Sequence, residues 1–559
     1  MPLRRAVLLV IAVAIAASLA GLGNDFTQDD LRLIYENARV HGLSHWREIL
    51  SSPYWPPPWN QELYRPVVTL SHALWYALGH GEPLIFRIVS YILYSLSAVS
   101  VLLLGRQLLP HGIALGCAVL FAAHPVHVEA VALAVGQGEL LVGLLAVVMT
   151  LRYLDRRSRG NLGVRDWVIL GALYLVASFT KEQGLLIPAL LLAAEVILLD
   201  GKVADRLRRL GPGYAGLALL AVLIVLLRRA VLGGEFSGVF VSEALQGLTI
   251  GERALTMLKI VPEWARLLVW PLHLQADYAP MELTASTTFR VPEALGLGIL
   301  LLALFSAWLL RRRAPVVTFG IAWLAVGLFP VSNLLAPTGI LLAERTLFLP
   351  SIGFVLMLGG LVTLLAPSRV ASPASVSPMP HELTIAIVIL AVAGLARSVE
   401  RQRVWRNEGF LTARTVQDAP RSYRAQRAYG DMLFNLGQTA LALEAYAGAL
   451  RLVPAGHAWR VRNDLARRFR AMGETAREAE QLRQSLAESP AQGDTRGYLI
   501  SALLLLGRYA DAAGQVDSAL AHGAKPDVFQ KLRQLADSAA RVGAPPGSVR
   551  IRIVTEPAR

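Results

Sequence analysis

Long apolar runs separated by short polar breaks fill residues 1–398, whereas residues 399–559 mix charged and apolar positions at close intervals. A helix needs about 20 apolar residues to cross the hydrocarbon core of a bilayer, and many of the runs approach that length. The pattern therefore predicts an all-α chain in which a polytopic transmembrane domain, residues 1–398, precedes a helical domain outside the bilayer.

The apolar runs predict about eleven transmembrane helices. The first run follows Arg4-Arg5 and ends near the small residues Ser18-Leu19-Ala20. This pattern fits a cleaved signal peptide, and it also fits a first transmembrane helix that is retained. We favour the retained helix because a polar motif with the residue types of an active site follows it directly. The predicted spans cover residues 6–22, 84–105, 112–123, 130–151, 165–179, 184–199, 212–227, 293–310, 315–330, 347–366 and 382–397.

Arginine-rich breaks fall at alternate junctions between the predicted spans. Cytoplasmic loops carry an excess of Lys and Arg, so this face is predicted to be cytoplasmic; Arg228-Arg229, at an opposite junction, is the exception. With eleven spans and a cytoplasmic start, residues 399–559 are predicted to lie on the outer face. The basic clusters are Arg4-Arg5, Arg106, residues 152–165, residues 202–209 and Arg311-Arg312-Arg313.

Composition supports the membrane interpretation and excludes other classes of protein. Hydrophobic residues make up 54% of the 559 residues, charged residues only 17%, and the mean hydropathy is +0.48, a balance well away from that of soluble domains. The formal net charge is +14, but the sequence lacks the patterned basic and aromatic surface of a nucleic-acid binder. The single cysteine, Cys117, allows no internal disulfide.

Glycines recur in the C-terminal part of the chain at a tetratricopeptide spacing. Gly437, Gly473 and Gly507 are separated by 36 and 34 residues, close to the period of about 34 residues of that repeat. We therefore predict about three helical-hairpin repeats over residues 399–540, with a generic helical bundle as the alternative, and a flexible tail over residues 541–559. Stacked hairpins of this kind build a concave surface that suits a protein partner.

Two adjacent carboxylates, Asp29 and Asp30, follow the first predicted span. Paired carboxylates at a membrane edge can accept a proton from an incoming hydroxyl, or bind a divalent cation such as Mg²⁺ or Mn²⁺. One of them can instead cap a helix that begins at Leu31. The spacing alone leaves both interpretations open.

A second polar motif contains His124, His127 and Glu129 and joins two apolar runs. These side chains can bind a metal, position a phosphate or satisfy one another, but their spacing is not that of a zinc site. Glu139 follows within the next apolar run, where a carboxylate is costly in lipid, so it is predicted to face a cavity.

Lys181 beside Glu182, and Arg345 beside Glu344, are candidates for binding a lipid-linked phosphate. A guanidinium matches the geometry of a phosphate, whereas snorkelling to the interface or a local ion pair is the alternative. Arg65 adds a guanidinium in the loop after the first span, and there a salt bridge within the loop is the alternative. The sequence has no Walker motif and no Gly-x-Ser-x-Gly elbow, so an activated donor that arrives in the membrane fits better than nucleotide hydrolysis.

The polar motifs occur in a fixed order, at residues 24–30, 64–66, 124–132, 136–140, 181–188, 270–278, 329–333 and 343–353. In that order they resemble the transmembrane and tetratricopeptide-repeat O-mannosyltransferases and their bacterial relatives, in the GT-C glycosyltransferase superfamily. The resemblance covers residues 24–354 and extends to the repeats. The sequence departs from the family at Thr27-Gln28, where members often have a larger aromatic residue, and in having only about three repeats.

The resemblance implies a membrane enzyme that moves a sugar, mannose in the named family, from a polyprenyl-phosphate donor to a hydroxyl of a protein or another acceptor on the outer face. Asp29 or Asp30 would be the catalytic base, and the repeats would bind a protein acceptor or partner. It further implies a bacterial inner membrane, with the site and the repeats on the periplasmic side. The residues that would bind substrate or lipid phosphate are Arg65, His124, His127, Glu129, Glu139, Lys181, Glu182, Asp277, Glu344 and Arg345.

Two other functions are compatible with parts of the pattern. A lipid-linked glycan ligase or polymerase can also end in tetratricopeptide repeats, but its site lies in a large late loop rather than in the first. A non-catalytic membrane scaffold would recruit proteins through the repeats and would tolerate removal of the charges at Asp29, Asp30, Lys181 and Arg345.

Overall fold

The structure, a computed structural model, describes residues 1–57, 59, 63–234, 241–278, 280–365, 379–524 and 526–549. Every regular element within those ranges is helical, which confirms the predicted all-α class. The chain forms two compact units, one made of Met1–Ala276 with Leu283–Arg414 and the other of Asp277–Glu282 with Thr415–Arg559.

The first unit contains the long apolar helices together with shorter helices that connect them. The helix α16 (Glu408–Asp418) leads along the chain from the first unit into the second. The helices before it are α1 (Leu3–Ser18), α2 (Trp46–Ser51), α3 (Pro66–Gly79), α4 (Pro83–Leu108), α5 (His111–Ala123), α6 (Val128–Ala132), α7 (Gln137–Ser158), α8 (Val164–Thr180), α9 (Ile187–Leu198), α10 (Val203–Val231), α11 (Ile250–Val269), α12 (Val291–Leu310), α13 (Pro315–Leu328), α14 (Phe348–Leu365) and α15 (His381–Val404).

Within the described residues, seven helices are long and apolar enough to cross a bilayer, or up to eight if the bent pair of α5 and Pro125–Ala132 forms one span. The protein is therefore an integral membrane protein, but the predicted count of eleven spans is not confirmed. Three predicted runs form α8, α9 and α13, which have 17, 12 and 14 residues. At about 1.5 Å per residue these helices are shorter than a hydrocarbon core of about 30 Å.

The core of the first unit is built from residues of α1, α4, α5, α6, α7, α8, α9, α10, α13 and α14. Small residues allow the closest approach of its helices, as at the crossing of α13 and α14. A Cβ atom added to Gly320 would lie 2.6 Å from the carbonyl oxygen of Gly353. Glycine at such a crossing lets two backbones pack directly against each other, and this crossing holds the start of α14, next to Arg345.

Short irregular segments occur where the long helices break, and they carry the predicted polar motifs. Backbone outside a regular helix must find hydrogen-bond partners wherever water is scarce, so polar side chains concentrate at these breaks. The segments are a π-helical turn at Leu31–Tyr35 and 3₁₀ helices at Pro125–His127, Glu182–Leu186 and Glu344–Leu347.

The second unit is a series of helical hairpins, which confirms the predicted repeat architecture. Gly437, Gly473 and Gly507 each follow the first helix of a hairpin with φ between 72° and 75°, a conformation that glycine adopts without strain. The helices are α17 (Tyr423–Asn435), α18 (Thr439–Leu452), α19 (Ala458–Ala471), α20 (Thr475–Glu488), α21 (Gly493–Leu505), α22 (Tyr509–Ala521) and α23 (Pro526–Arg541).

The boundaries in the structure differ from those drawn on the sequence. The predicted boundary after residue 398 lies inside α15, and the compact units divide after Arg414. The predicted tail, residues 541–559, begins with ordered contacts: the Gly547 N–H donates to the Leu505 carbonyl at 2.8 Å, and the Tyr509 hydroxyl donates to the Ala544 carbonyl at 2.8 Å. Residues 550–559 lie outside the described residues.

Candidate active site

Asp30 is fully buried, and its carboxylate binds backbone N–H groups of the chain. Its two carboxylate oxygens accept the N–H groups of Ala134 and Val135, each at 2.9 Å, and Arg87 lies 3.6 Å away. Burial raises the pKa of Asp30 to about 6, although Arg87 and the two amides oppose the rise. The helix-cap interpretation is not realised, because the side chain makes no cap hydrogen bond at Leu31.

Arg87 completes this arrangement from within α4 and was missed by the motif analysis. Its guanidinium donates to the carbonyl of Asp25 at 2.7 Å and to that of Ala132. It therefore ties the loop after α1 to the end of α6. An arginine inside the apolar run 84–105 was the available signal, since a charge there requires a partner.

Asp29 differs from its neighbour because its side chain is 33% exposed. Its Oδ2 atom lies 3.3 Å from Nη2 of Arg345. The same guanidinium donates through Nη1 to Glu129 at 2.6 Å, and the Arg345 backbone N–H donates to the other Glu129 oxygen at 2.9 Å. Glu129 thus fixes Arg345, and Arg345 faces the exposed carboxylate of Asp29.

Lys181 forms an ion pair with Glu139, and both side chains are largely buried. Burial lowers the pKa of Lys181, as do the positive charges of Arg65 and Arg345, while Glu139 opposes the fall. Arg65 and Arg345 are thus the positive charges that disfavour the protonated form of Lys181. The sequence predicts that Glu139 faces a cavity, but in the structure its carboxylate contacts the ammonium group of Lys181.

Glu182 lies between two arginines. Nη2 of Arg65 donates to Glu182 at 2.6 Å, and Nη2 of Arg228 donates to the other carboxylate oxygen at 2.9 Å. Burial raises the pKa of Glu182, but the two guanidiniums outweigh burial and hold that pKa below its usual value. Arg228 was noted in the sequence only as an exception to the charge rule.

Tyr54 is a buried residue that lies against Arg65. The Arg65 guanidinium lies over its ring, 5.1 Å from the centroid. Burial raises the pKa of the Tyr54 hydroxyl, Arg65 and Arg345 lower it, and Asp29 and Asp30 raise it. No motif pointed to Tyr54, because it lies in a loop without a recognisable pattern.

The two histidines, His124 and His127, form hydrogen bonds that hold neighbouring helices together. His127 is buried, and its ring nitrogens lie 2.8 Å from the Ser351 hydroxyl and 3.0 Å from the Tyr94 hydroxyl. His124 lies 2.9 Å from the Leu268 carbonyl through Nε2 and accepts the Val126 N–H through Nδ1. Both rings have their nitrogens engaged, so they fix the bend between α5 and α6.

Glu344 and Asp277 bond elsewhere. Glu344 is fully buried, accepts the Gln275 N–H at 2.5 Å and lies 3.8 Å from Arg401. Asp277 belongs to the second unit, where it accepts the Ser422 hydroxyl at 2.5 Å and pairs with Arg424 at 3.0 Å. Glu344 therefore holds the backbone at Gln275, and Asp277 holds Ser422 at the start of α17.

We call the following eight residues the ion-pair cluster: Asp29, Arg65, Glu129, Glu139, Lys181, Glu182, Arg228 and Arg345. They are far apart in sequence, and most are largely buried: Glu139 and Arg228 lie within α7 and α10, and the other six lie in the short segments between the long helices. Within the cluster four carboxylates face four cations, and only Asp29 and Glu182 have more than a quarter of the side chain exposed. Such an arrangement can orient an anionic group beside a carboxylate that is free to take a proton.

The acidic pair does not provide two free carboxylates for one divalent cation. Both oxygens of Asp30 accept backbone N–H groups, so Asp29 alone remains available. Among the described residues, no three His, Cys, Asp or Glu side chains come together as a metal site. The predicted use of Mg²⁺ or Mn²⁺ stays a prediction.

The fold and the site define a class of protein: an all-α integral membrane protein with a buried, charge-balanced polar site and a separate unit of helical repeats. Its curated relatives are protein O-mannosyl-transferases, which confirms the resemblance seen in the motifs. The chain is 26% identical over 462 residues to the Caenorhabditis elegans protein O-mannosyl-transferase F38B6.6, over 80% of this chain and 63% of that protein.

Mammalian relatives carry the same description. Protein O-mannosyl-transferase TMTC3 of Mus musculus is 26% identical over 381 residues, covering 63% of this chain and 41% of that protein. Protein O-mannosyl-transferase TMTC4 of Homo sapiens is 26% identical over 495 residues, covering 78% of this chain and 65% of that protein. The chain therefore spans less than two thirds of the length of these relatives.

Two further comparisons add little. No family model matches the chain. Among solved structures, the APC/C hetero-tetramer Cut9–Hcn1 is 14% identical and covers 84% of this chain and 89% of that one, with a TM-score of 0.24, too low to inform the fold.

Proposed function

We propose that the protein is a membrane mannosyltransferase that transfers mannose from a polyprenyl-phosphate donor to a hydroxyl group of a protein acceptor. Relatives named protein O-mannosyl-transferases over most of the chain support the reaction. The observation that carries the proposal is the contact between a partly exposed carboxylate, Asp29, and the guanidinium of Arg345, which Glu129 holds on its other side.

Asp29 is assigned as the base. Asp30 is fully buried with both oxygens occupied, whereas Asp29 is accessible to an incoming hydroxyl. In the reaction the acceptor oxygen bonds to the anomeric carbon of mannose, the bond from that carbon to the phosphate oxygen breaks, and the hydroxyl proton passes to Asp29. The products are the glycosylated acceptor and polyprenyl phosphate, so atoms and charge balance.

Arg345, Lys181 and Arg65 are assigned to the phosphate. Negative charge develops on the phosphate oxygen as its bond to the sugar breaks, and cations fixed in a site with little water stabilise that charge most effectively. Guanidinium groups can also bind two phosphate oxygens at once. Glu129, Glu139 and Glu182 hold these three cations in place through the ion pairs described above.

The site is assigned to the outer face and the second unit to acceptor binding. The polar breaks that carry the ion-pair cluster lie at the junctions opposite the arginine-rich clusters, and positive charge favours the cytoplasm. A hairpin solenoid provides an extended surface for a polypeptide. A periplasmic location follows if the source is a bacterium with an inner membrane.

The full chain, reconstituted in nanodiscs with mannosyl-phosphoryl polyprenol and a Ser/Thr-containing peptide, tests the proposal by mass spectrometry of the peptide. Asp29→Asn should lower the initial rate by at least about 100-fold, the usual scale for a lost general base, with an unchanged melting temperature. Asp25→Asn in the same loop is the control and should keep the wild-type rate. Wild-type turnover by Asp29→Asn would reject the assignment, and no transfer by the wild type would reject the function in favour of a scaffold.

A further inference from the structure

Arg228 lies at the end of α10, a helix whose surface is otherwise mostly exposed. The buried positions of α10 are Leu210, Leu217, Ile224 and Arg228, a narrow stripe that faces the rest of the unit. Arg228 is only 3% exposed. A cation at that depth requires a partner, so its burial in an apolar stripe calls for a specific explanation.

The partner is Glu182, which Arg228 shares with Arg65. Arg228 donates to Oε1 of Glu182 at 2.9 Å and to the Tyr64 carbonyl at 3.4 Å. Arg65 contacts both oxygens of the same carboxylate: its Nη2 donates to Oε2 at 2.6 Å, and its Nε lies 3.2 Å from each oxygen. Arg228 therefore shares Oε1 with Arg65 and fixes the carboxylate that holds the Arg65 guanidinium.

Arg228 also sets the charge of the site. The ion-pair cluster contains four carboxylates and four cations with Arg228 included. Without it the same cluster would carry one excess negative charge. A phosphate diester is itself an anion, and a like charge close by in a poorly hydrated site weakens its binding.

We infer that Arg228 is a positioning residue that orients Arg65 through Glu182 and tunes the affinity of the site for the phosphate end of the donor. This inference rests on the proposed function, because it assumes a phosphate-linked donor at Arg65. This role explains why Arg228 lies at a junction opposite the arginine-rich, predicted cytoplasmic face. Its positive charge balances the carboxylates of the site.

The neighbouring Arg229 provides a matched control. It carries the same charge at the same helix end, but its side chain is exposed and its Nε donates to the Gly234 carbonyl at 3.2 Å. A change in surface charge or in the stability of α10 should affect the two positions alike. An effect through Glu182 should appear only at Arg228.

The experiment uses the full chain in nanodiscs and measures kcat and KM for the mannosyl-phosphoryl polyprenol donor and, separately, KM for the peptide. Arg228→Gln should raise the donor KM about tenfold, leaving the peptide KM unchanged. Arg228→Lys should restore the donor KM to within about threefold of wild type, and Arg229→Gln should have no effect. The double variant Glu182→Gln/Arg228→Gln also loses the carboxylate that holds Arg65, so its donor KM should stay at least as high as that of Arg228→Gln.

A separate measurement distinguishes failure of the proposed function from failure of the role of Arg228. It detects the binding of polyprenyl phosphate alone through the shift in melting temperature that the lipid causes. A wild-type protein that neither transfers mannose nor binds polyprenyl phosphate refutes the proposed function. If the wild type transfers mannose and binds polyprenyl phosphate, but Arg228→Gln keeps the wild-type donor KM, the role of Arg228 is refuted and the proposed function stands. Equal rises in donor and peptide KM, no recovery in Arg228→Lys, or a wild-type donor KM in the double variant would overturn the inference.

Discussion

The Asp29 carboxylate lies 3.3 Å from the Arg345 guanidinium, an ion pair between residues 316 positions apart. On its other side the guanidinium donates to Glu129 at 2.6 Å. One arginine therefore bridges a buried carboxylate, which fixes it, and an exposed carboxylate, which a substrate can replace. An anionic donor that binds Arg345 would release Asp29 from its partner at the moment a base is needed.

The first prediction concerns the geometry of Arg345. Arg345→Lys keeps the charge but presents a single ammonium group, which cannot reach Glu129 and Asp29 as the planar guanidinium does. We expect the rate of mannose transfer to fall at least about tenfold, a loss of about 1.4 kcal/mol in transition-state stabilisation. Arg32→Lys is the control, because Arg32 forms an exposed pair with Glu36 in the loop after α1. An Arg345→Lys enzyme with the wild-type rate would contradict the bridging role.

The second prediction concerns pH and Asp30. Its pKa is raised by burial to about 6 in the folded protein, so the folded state binds more protons than the unfolded state between about pH 4 and pH 6. The contribution of Asp30 to the free energy of unfolding is therefore present below about pH 4 and is lost as pH rises to about 6, by about 3 kcal/mol in all.

Asp30→Asn removes this titration and keeps an acceptor for one buried N–H. Melting temperatures of the wild type and Asp30→Asn between pH 4 and pH 7 should therefore differ in slope, with the wild type losing stability relative to the variant as pH rises. Parallel curves would mean that Asp30 is not the buried carboxylate that the contacts of Ala134, Val135 and Arg87 describe.

The residue types of the site could be predicted from the sequence, but their pairing could not. A charge in an apolar run needs a partner, which singled out Glu139. Asp29 stood out as one of two adjacent carboxylates, and Lys181 and Arg345 as cations suited to a phosphate. Which carboxylate meets which cation depends on the packing of distant segments. Nothing local in the sequence shows that Glu129 meets Arg345, 216 positions away.

The roles of two adjacent aspartates were equally hidden. Asp29 and Asp30 look equivalent in a motif, yet one side chain is 33% exposed and the other is fully buried. The difference arises because the N–H groups of Ala134 and Val135 lie where only Asp30 reaches them. Hydrophobic periodicity predicted the helices well, but it does not give the number of spans, since short helices such as α9 are as apolar as long ones.

The third prediction tests the helix crossing beside Arg345. Gly320→Ala would place a Cβ atom 2.6 Å from the Gly353 carbonyl oxygen and from the Met357 N–H nitrogen, both of them backbone atoms. Forcing the two helices apart should lower the stability by about 1–3 kcal/mol and displace the start of α14. Gly298→Ala in α12 meets no atom within 4 Å and should be neutral or slightly stabilising. Equal melting temperatures for the two variants would contradict the close crossing.

The fourth prediction separates the structural role of Lys181 from its proposed role at the phosphate. Lys181→Met leaves Glu139, whose side chain is 2% exposed, as a buried carboxylate without this partner. Breaking a buried pair from one side costs about 3–5 kcal/mol, so the melting temperature should fall sharply. The double variant Glu139→Gln/Lys181→Met has no such charge and should recover most of the stability. It should remain at least about tenfold slower in mannose transfer, because a cation is still missing where the phosphate leaves. A double variant that recovers both stability and rate would show that Lys181 serves only to neutralise Glu139, and the phosphate would then have to be bound by Arg65 and Arg345 alone.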